Sequence, residues 1–206
     1  KIQMLYLFSR KKVKHLYLGI ESGLDDVLKF MKKDHDLAQA YQAIDRLHEA
    51  GLIYDAHIMT GVAGKGRGME NAEALAQFLN RTNPAHVVNF SMFLHKEVPL
   101  YQDIRQGTFV PADELETIRE EYHLIERIAP EKAGANILYD GFHDFIHVRV
   151  RGHLPGDKEK MLAKLNGIIQ EYEGKEPVYS FVQGECPDLE YCDDGKAVWD
   201  MDRKTS

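Results

Sequence analysis

The sequence predicts an α/β protein whose short buried strands run parallel and alternate with helices. Three observations predict it. Three compact apolar runs, His15–Ile20, Leu52–Thr60 and Ala85–Leu94, read as strands. Amphipathic helical periods stand between them. The order strand, two helices, strand, glycine-dense loop, helix, strand calls for right-handed crossovers, and hence an α/β sheet or part of an α/β barrel. Ligands in such folds sit at the C-terminal strand ends, here Ile20–Gly23, Thr60–Gly64 and Ser91–His95.

The elements follow in order. After the first strand, Ser22 is placed to cap a helix whose first turn holds Asp25 and Asp26, where acids favour the positive end of the dipole. Leu24, Val27, Leu28 and Met31 form one face of that helix. Asp36 starts a second helix with a stripe at Leu37, Ala40, Tyr41, Ile44 and Leu47, and Gly51 suits the left-handed position just past its end. The loop Gly61–Gly68 carries four glycines in eight residues, so it needs unusual backbone angles or a close approach to something. Glu70–Leu79 is helical and is broken by Asn83-Pro84, ahead of the third strand. A short helix near Leu100–Gln106 and a longer one over Asp113–Ala129 follow. Past about Gly134 the texture changes: Asp144–Val150 alternates, Asp157–Tyr172 is an amphipathic helix, and the tail beyond Gly174 is acidic and weakly patterned. We therefore divide the chain into 1–130 and an α+β extension, 131–206.

Composition narrows the function. With 206 residues, 44% hydrophobic and 29% charged, the chain has enough apolar content for a real core. A net charge of −7 argues against a large nucleic-acid footprint. Two cysteines exclude a disulfide-dense secreted scaffold, and no run approaches the ~18 apolar residues of a membrane span. A reducing, cytoplasmic setting is expected.

Several residues carry candidate chemistry. The glycine loop is neither a phosphate-binding P-loop, since Met59 stands where a glycine is required, nor a GxGxxG motif. It is either a turn or a backbone approach to a bound cofactor. Glu21, between Gly19-Ile20 and Ser22-Gly23, places a carboxylate at the ligand end of a buried strand. There it suits ribose hydroxyls or an amino group, or caps the helix. His57 is a core histidine or a ligand contact inside a barrel. His143, His147 and His153 cluster around one candidate strand but lack zinc-site spacing, as do Cys186 and Cys192, so no metal ligand is assigned. Arg149 and Arg151 beside them form an anion-binding face or a solvated strand face.

Four segments in order resemble the radical S-adenosylmethionine enzymes. Leu18-Gly19-Ile20-Glu21-Ser22-Gly23, with Asp26-Val27-Leu28-Lys29, Met31, Lys33 and His35, resembles that family's fourth-strand segment. Ala50-Gly51 with His57-Ile58-Met59, Gly61 and Gly64 resembles the fifth, closest to the elongator-type and coproporphyrinogen-oxidase-like branch. Val98-Pro99-Leu100-Tyr101 is similar to the motif after the sixth strand, and Arg151-Gly152 through Met161-Leu162 to a C-terminal extension of that branch. The resemblance implies a partial (β/α)6 TIM-like barrel comprising strands four to six. It implies a [4Fe–4S] cluster and S-adenosylmethionine as cofactors, the latter reduced to a 5′-deoxyadenosyl radical that abstracts hydrogen from a substrate. It also implies cofactor-binding roles for Glu21, Ser22, Lys33, His57, Met59, Gly61 and Ser91.

One departure is large. The family holds its cluster on CxxxCxxC after the first strand, and the two cysteines here are far downstream and wrongly spaced. We expect a C-terminal half-barrel fragment, inert alone, whose open sheet edge pairs with another copy or chain or is covered by Lys1–Lys14. The alternatives are a non-catalytic nucleoside-binding module and, more remotely, a histidine–carboxylate metal hydrolase.

Overall fold

A single five-stranded sheet organises the computed structural model, which describes residues 13–181 and, in the tail, the backbone of 192–193 and 196–197. The strands, in sheet order, are β1 (His15–Glu21), β2 (Ile53–Thr60), β3 (His86–Ser91), β4 (Ile137–His143) and β5 (Val148–Leu154). β1 to β4 run parallel, and β5 returns antiparallel to β4. The expected α/β architecture is therefore present, and it is consistent with a partial TIM-like barrel. The sheet continues without a break across residue 130. Residues 1–12, part of the segment expected to cover the edge, lie outside the described residues, as do Cys186 and the side chain of Cys192.

The connecting helices are α1 (Asp25–Phe30), α2 (Leu37–Glu49), α3 (Gly68–Thr82), α4 (Leu100–Arg105), α5 (Glu114–Arg127) and α6 (Lys158–Tyr172). α2 begins as the sequence predicts. The Asp36 carboxylate accepts from the Gln39 N–H at 2.7 Å and the Gln39 side chain accepts from the Asp36 N–H at 3.0 Å. That capping box contributes about 1 kcal/mol. Gly51 takes φ 71°, the left-handed angle expected after the helix. α1 differs from the prediction. Its N-cap is Leu24, with no side-chain cap, and the Ser22 hydroxyl is used elsewhere.

One sheet face packs against helices. Ile20, Tyr54, Ile58, Val87, Tyr139 and Val150 meet Ile44, Leu75, Leu79, Ile118, Leu124 and Leu165 in one core. Each such aliphatic side chain contributes about 1.5–3 kcal/mol on burial. A smaller cluster of Val27, Val62, Met92, Leu94, Ile104, Phe109 and Phe181 closes the C-terminal strand ends.

Past residue 134 the elements differ from the sequence reading in their bounds. Asp144–Ile146 is a single 3₁₀ turn, and the alternating strand is Val148–Leu154. Its partner is Ile137–His143, a strand that the local sequence does not announce. The pair Asp140-Gly141 inside it is a turn signal when taken alone. Here Gly141 serves close packing instead: a Cβ on it would fall 1.8 Å from Glu121 Oε1.

Gly23 is packed as tightly. A Cβ there would lie 2.4 Å from the Leu75 nitrogen and 2.5 Å from the Ala74 carbonyl carbon, both α3 backbone. Gly23→Ala is expected to cost about 3 kcal/mol or more in urea denaturation, because helix backbone cannot yield as a side chain does; an unchanged midpoint would show that α3 does not approach this closely.

Candidate functional site

Side chains alternate along strands, so each strand sends a second set of residues to the face that carries no helix. That open face holds Tyr17, Gly19, Asp55, His57, Met59, Phe90, Asp140, Phe142, Arg149 and Arg151. Its C-terminal end is where ligands of parallel sheets bind.

Glu21 ends β1 with φ 63°, a left-handed angle that costs a non-glycine residue about 1 kcal/mol or more. The register slips between Gly19 and Glu21, and the carboxylate turns back over Gly19. A Cβ on Gly19 would sit 2.7 Å from Glu21 Oε1, so the glycine leaves room for it. Lys33 Nζ donates to Oε1 at 2.8 Å, with both side chains partly exposed. The result is an acid and a base side by side at a strand end, open to solvent. His57, half-buried on the neighbouring strand, lies 5.1 Å ring to ring from Tyr17 and 6.0 Å from Phe90. Met59 stands two residues further along the same face, against the smaller cluster.

The other expected site residues lie elsewhere. Ser22 is fully buried; its hydroxyl donates to Asn71 Oδ1 at 2.6 Å and accepts from the Leu24 N–H. Ser91 points to the helix side, where its hydroxyl donates to Glu114 Oε1 at 3.1 Å. Gly61 takes φ 82°, and a Cβ on it would meet Thr117 Cγ2 at 2.7 Å. The glycine loop's close approach at this point is therefore to α5 of its own chain. At its far end Arg67 donates to Asp26 at 2.7 Å and to Glu70 at 2.8 Å, joining α1 to α3 and holding both carboxyls below their usual range. The structure thus brings Glu21, Lys33, His57 and Met59 to one face and leaves Ser22, Gly61 and Ser91 as supports.

Those supports converge on buried acids of α5 that the sequence reading missed. Asn71 Nδ2 donates to Glu120 Oε1 at 2.7 Å and the Gly61 N–H to Glu120 Oε2 at 2.8 Å. Burial pushes the Glu120 carboxyl up to about 8 against those two hydrogen bonds. Beside it, His143 Nδ1 donates to Glu114 Oε2 at 2.9 Å and Nε2 to Glu121 Oε2 at 3.0 Å. Desolvation opposes charge on this imidazole, but Glu121 and Glu114 outweigh it and lift His143 to about 10. Asn89 Nδ2 and the Tyr139 hydroxyl donate to Glu121 Oε1, and the Ser180 hydroxyl donates to Glu114. The spacing of Glu114, Glu120 and Glu121 was readable, but burial of three acids on one helix is not something periodicity announces. Among the described residues no group of three or more His, Cys, Asp or Glu side chains is arranged to hold a metal ion, and no helix is long and apolar enough to cross a membrane.

Comparison with known proteins gives one kind of likeness. No family model matches the chain, and no curated protein matches it by sequence. Among solved structures it is similar to the archaeal Methanocaldococcus infernus Elp3 with an N-terminal deletion of residues 1–46, with a TM-score of 0.57 and 17% identity. The match covers 86% of this chain and 40% of that one, so this chain spans less than half the length of its structural relative. At that identity the likeness shows the fold.

The buried network has a pH signature. Between its ordinary value of 6.5 and about 10, folded His143 holds a proton that the unfolded chain has lost. Stability from this group is complete below 6.5 and declines as pH rises toward 10. Glu120, raised from 4.5 to about 8, declines in the same direction but is finished by about pH 8. Above pH 8 His143 contributes at most about 1.4 kcal/mol per pH unit to the slope, and as pH nears 10 the buried tyrosines Tyr54 and Tyr139, whose hydroxyls are also held above their usual value, add to it. His143→Gln is expected to lower stability by about 3 kcal/mol or more at pH 7 and to flatten the decline between pH 8 and 9.5 in denaturant titrations. An equally steep variant would place the titrating group elsewhere.

Proposed function

We propose that this chain is part of a radical S-adenosylmethionine enzyme and that its open sheet face carries part of the S-adenosylmethionine pocket, with residues 131–206 as the extension of that barrel. The Glu21–Lys33 pair is the observation that carries the reading. S-adenosylmethionine presents an ammonium, a carboxylate and ribose hydroxyls. A carboxylate and an ammonium 2.8 Å apart at a solvent-open strand end match that set, and the missing side chain at Gly19 leaves room for the Glu21 carboxylate to hold that position. In this reading Glu21 takes the ammonium or the ribose hydroxyls, and Lys33 exchanges its partner for the ligand carboxylate. His57 and Met59 line the nucleoside side. The quoted sequence segments and the fold likeness support the same assignment.

The cluster is a different matter. Three thiolates are needed to hold a [4Fe–4S] centre with one open iron, and the 206 residues contain two cysteines. The residues present do not fit the cluster, so in this reading the chain positions cofactor and does not ligate iron. The same count favours, as a second reading, a nucleoside-binding module without radical chemistry.

Calorimetry of the whole chain with S-adenosylmethionine tests the first part. Binding is expected, with Glu21→Ala at least about tenfold weaker, the effect of losing one charge-assisted contact. Unchanged affinity in Glu21→Ala, or no binding at all, overturns the pocket. Titration with adenosine separates the two readings: affinity equal to that for S-adenosylmethionine favours the nucleoside module.

A further inference from the structure

The open face carries a feature that extends beyond the proposed cofactor pocket and shares only His57 with it. A row of rings crosses four strands and ends on a guanidinium of the fifth. Tyr17 on β1 meets His57 on β2 at 5.1 Å, His57 meets Phe90 on β3 at 6.0 Å, and Phe90 stacks on Phe142 of β4 at 5.4 Å with 17° between planes. The Arg149 guanidinium on β5 closes the row, 4.7 Å above the Phe142 ring. Phe90 and Phe142 are direct register partners, and so are Phe142 and Arg149.

Stability does not explain this row. The core lies on the other face and is built mainly from aliphatic side chains, with Tyr54, Phe78 and Tyr139 buried among them. Tyr17 remains 56% exposed, and His57, Phe90 and Phe142 are only partly covered. A contiguous aromatic strip of this kind on a folded surface marks a binding site. Its geometry specifies what fits. Rings stacked side by side from neighbouring strands stand on edge, and ring edges attract the face of a flat π system laid over them. Its charge specifies the rest. Arg149 is held by Asp140 through two hydrogen bonds of 2.8 and 2.6 Å, and Arg151 reaches the same carboxylate at 3.6 Å. Two guanidinium groups share one acid, which leaves a positive surplus at the β5 end of the row. A protein with a net charge of −7 places that surplus against its own average.

We infer that this row binds a small, flat, unsaturated ring compound bearing an acidic group, with the ring over Phe90 and Phe142 and the acid at Arg149 and Arg151. His57 joins the row to the strand end that holds Glu21, so such a ligand lies beside the proposed cofactor. That it is the molecule acted on rests on the reading above; that it binds does not.

The test uses the whole chain and three probes: quinoline-2-carboxylate, flat and acidic; quinoline, flat and uncharged; cyclohexanecarboxylate, acidic and not flat. Aromatic NMR resonances report the site. Quinoline-2-carboxylate is expected to shift Phe90 and Phe142 saturably, and each of the other probes to bind at least about fivefold more weakly. Phe90→Leu and Phe142→Leu should each weaken it about fivefold with unchanged circular dichroism. Arg149→Gln should erase the preference for the acid. Glu21→Ala should leave this binding intact, and Phe142→Leu should leave S-adenosylmethionine affinity intact, so either site can fail without the other. No saturable shift, binding that both Phe variants leave unchanged, or equal binding of cyclohexanecarboxylate overturns the inference. Shifts of the same resonances on raising protein concentration alone overturn it in favour of a second copy covering the face.

Discussion

The His143 imidazolium, held between the carboxylates of Glu114 and Glu121 in the layer between sheet and helices, is the interaction on which the rest of the structure depends. Three acids of α5 are almost fully buried, at 0–1% exposure. Leaving such groups unpaired costs several kcal/mol each. The fold answers by placing donors from several neighbouring segments around them. β3 supplies Asn89 and Ser91, β4 supplies Tyr139 and His143, the loop after β2 supplies the Gly61 N–H, α3 supplies Asn71, and the segment after α6 supplies Ser180. α5 thereby becomes a polar spine that registers the C-terminal ends of the strands against one another.

This arrangement has a consequence for function. Because the spine and the aliphatic core both lie on the helix side, the opposite sheet face is released from any duty to hold the fold together. That face combines a left-handed Glu21, paired with Lys33, and a ring row running from Tyr17 to Arg149. Ser22 and Gly23 connect the two sides. Both donate to Asn71, which passes the link to Glu120, so the strand end that presents Glu21 is fastened to the spine two hydrogen bonds away. Positioning by buried polar contacts and presentation on an open strand end are separate tasks, and adjacent residues divide them.

Much of the framework was legible. The three parallel strands, the Asp36 cap, the left-handed Gly51 and the long helix after Asp113 follow from local spacing and appear within a few residues of their expected bounds. Glu21 and His57 are legible as candidates from their strand positions, whereas Lys33 and Met59 enter only through the resemblance, and it is the fold that brings Lys33, from the turn after α1, onto Glu21. Ser22 and Ser91 were not distinguishable from them, since a serine at a strand end reads the same whether it faces a ligand or a buried carboxylate. β4 escaped notice because Gly141, a turn residue by composition, is the only residue small enough to pass Glu121.

The sequence by itself determined the alternation of strands and helices and the cap of α2, because hydrophobic period and capping are set within a few neighbouring positions. Only the tertiary structure decided which face each candidate occupies, that the glycine loop closes on α5, and that Tyr17, His57, Phe90, Phe142 and Arg149 form one row. The reason is register. A row across five strands exists only when five separate segments align to within one residue, and a slip of one turns each side chain to the other face. Burial of three acids on one helix is likewise a property of their partners, which come from segments up to 66 residues away.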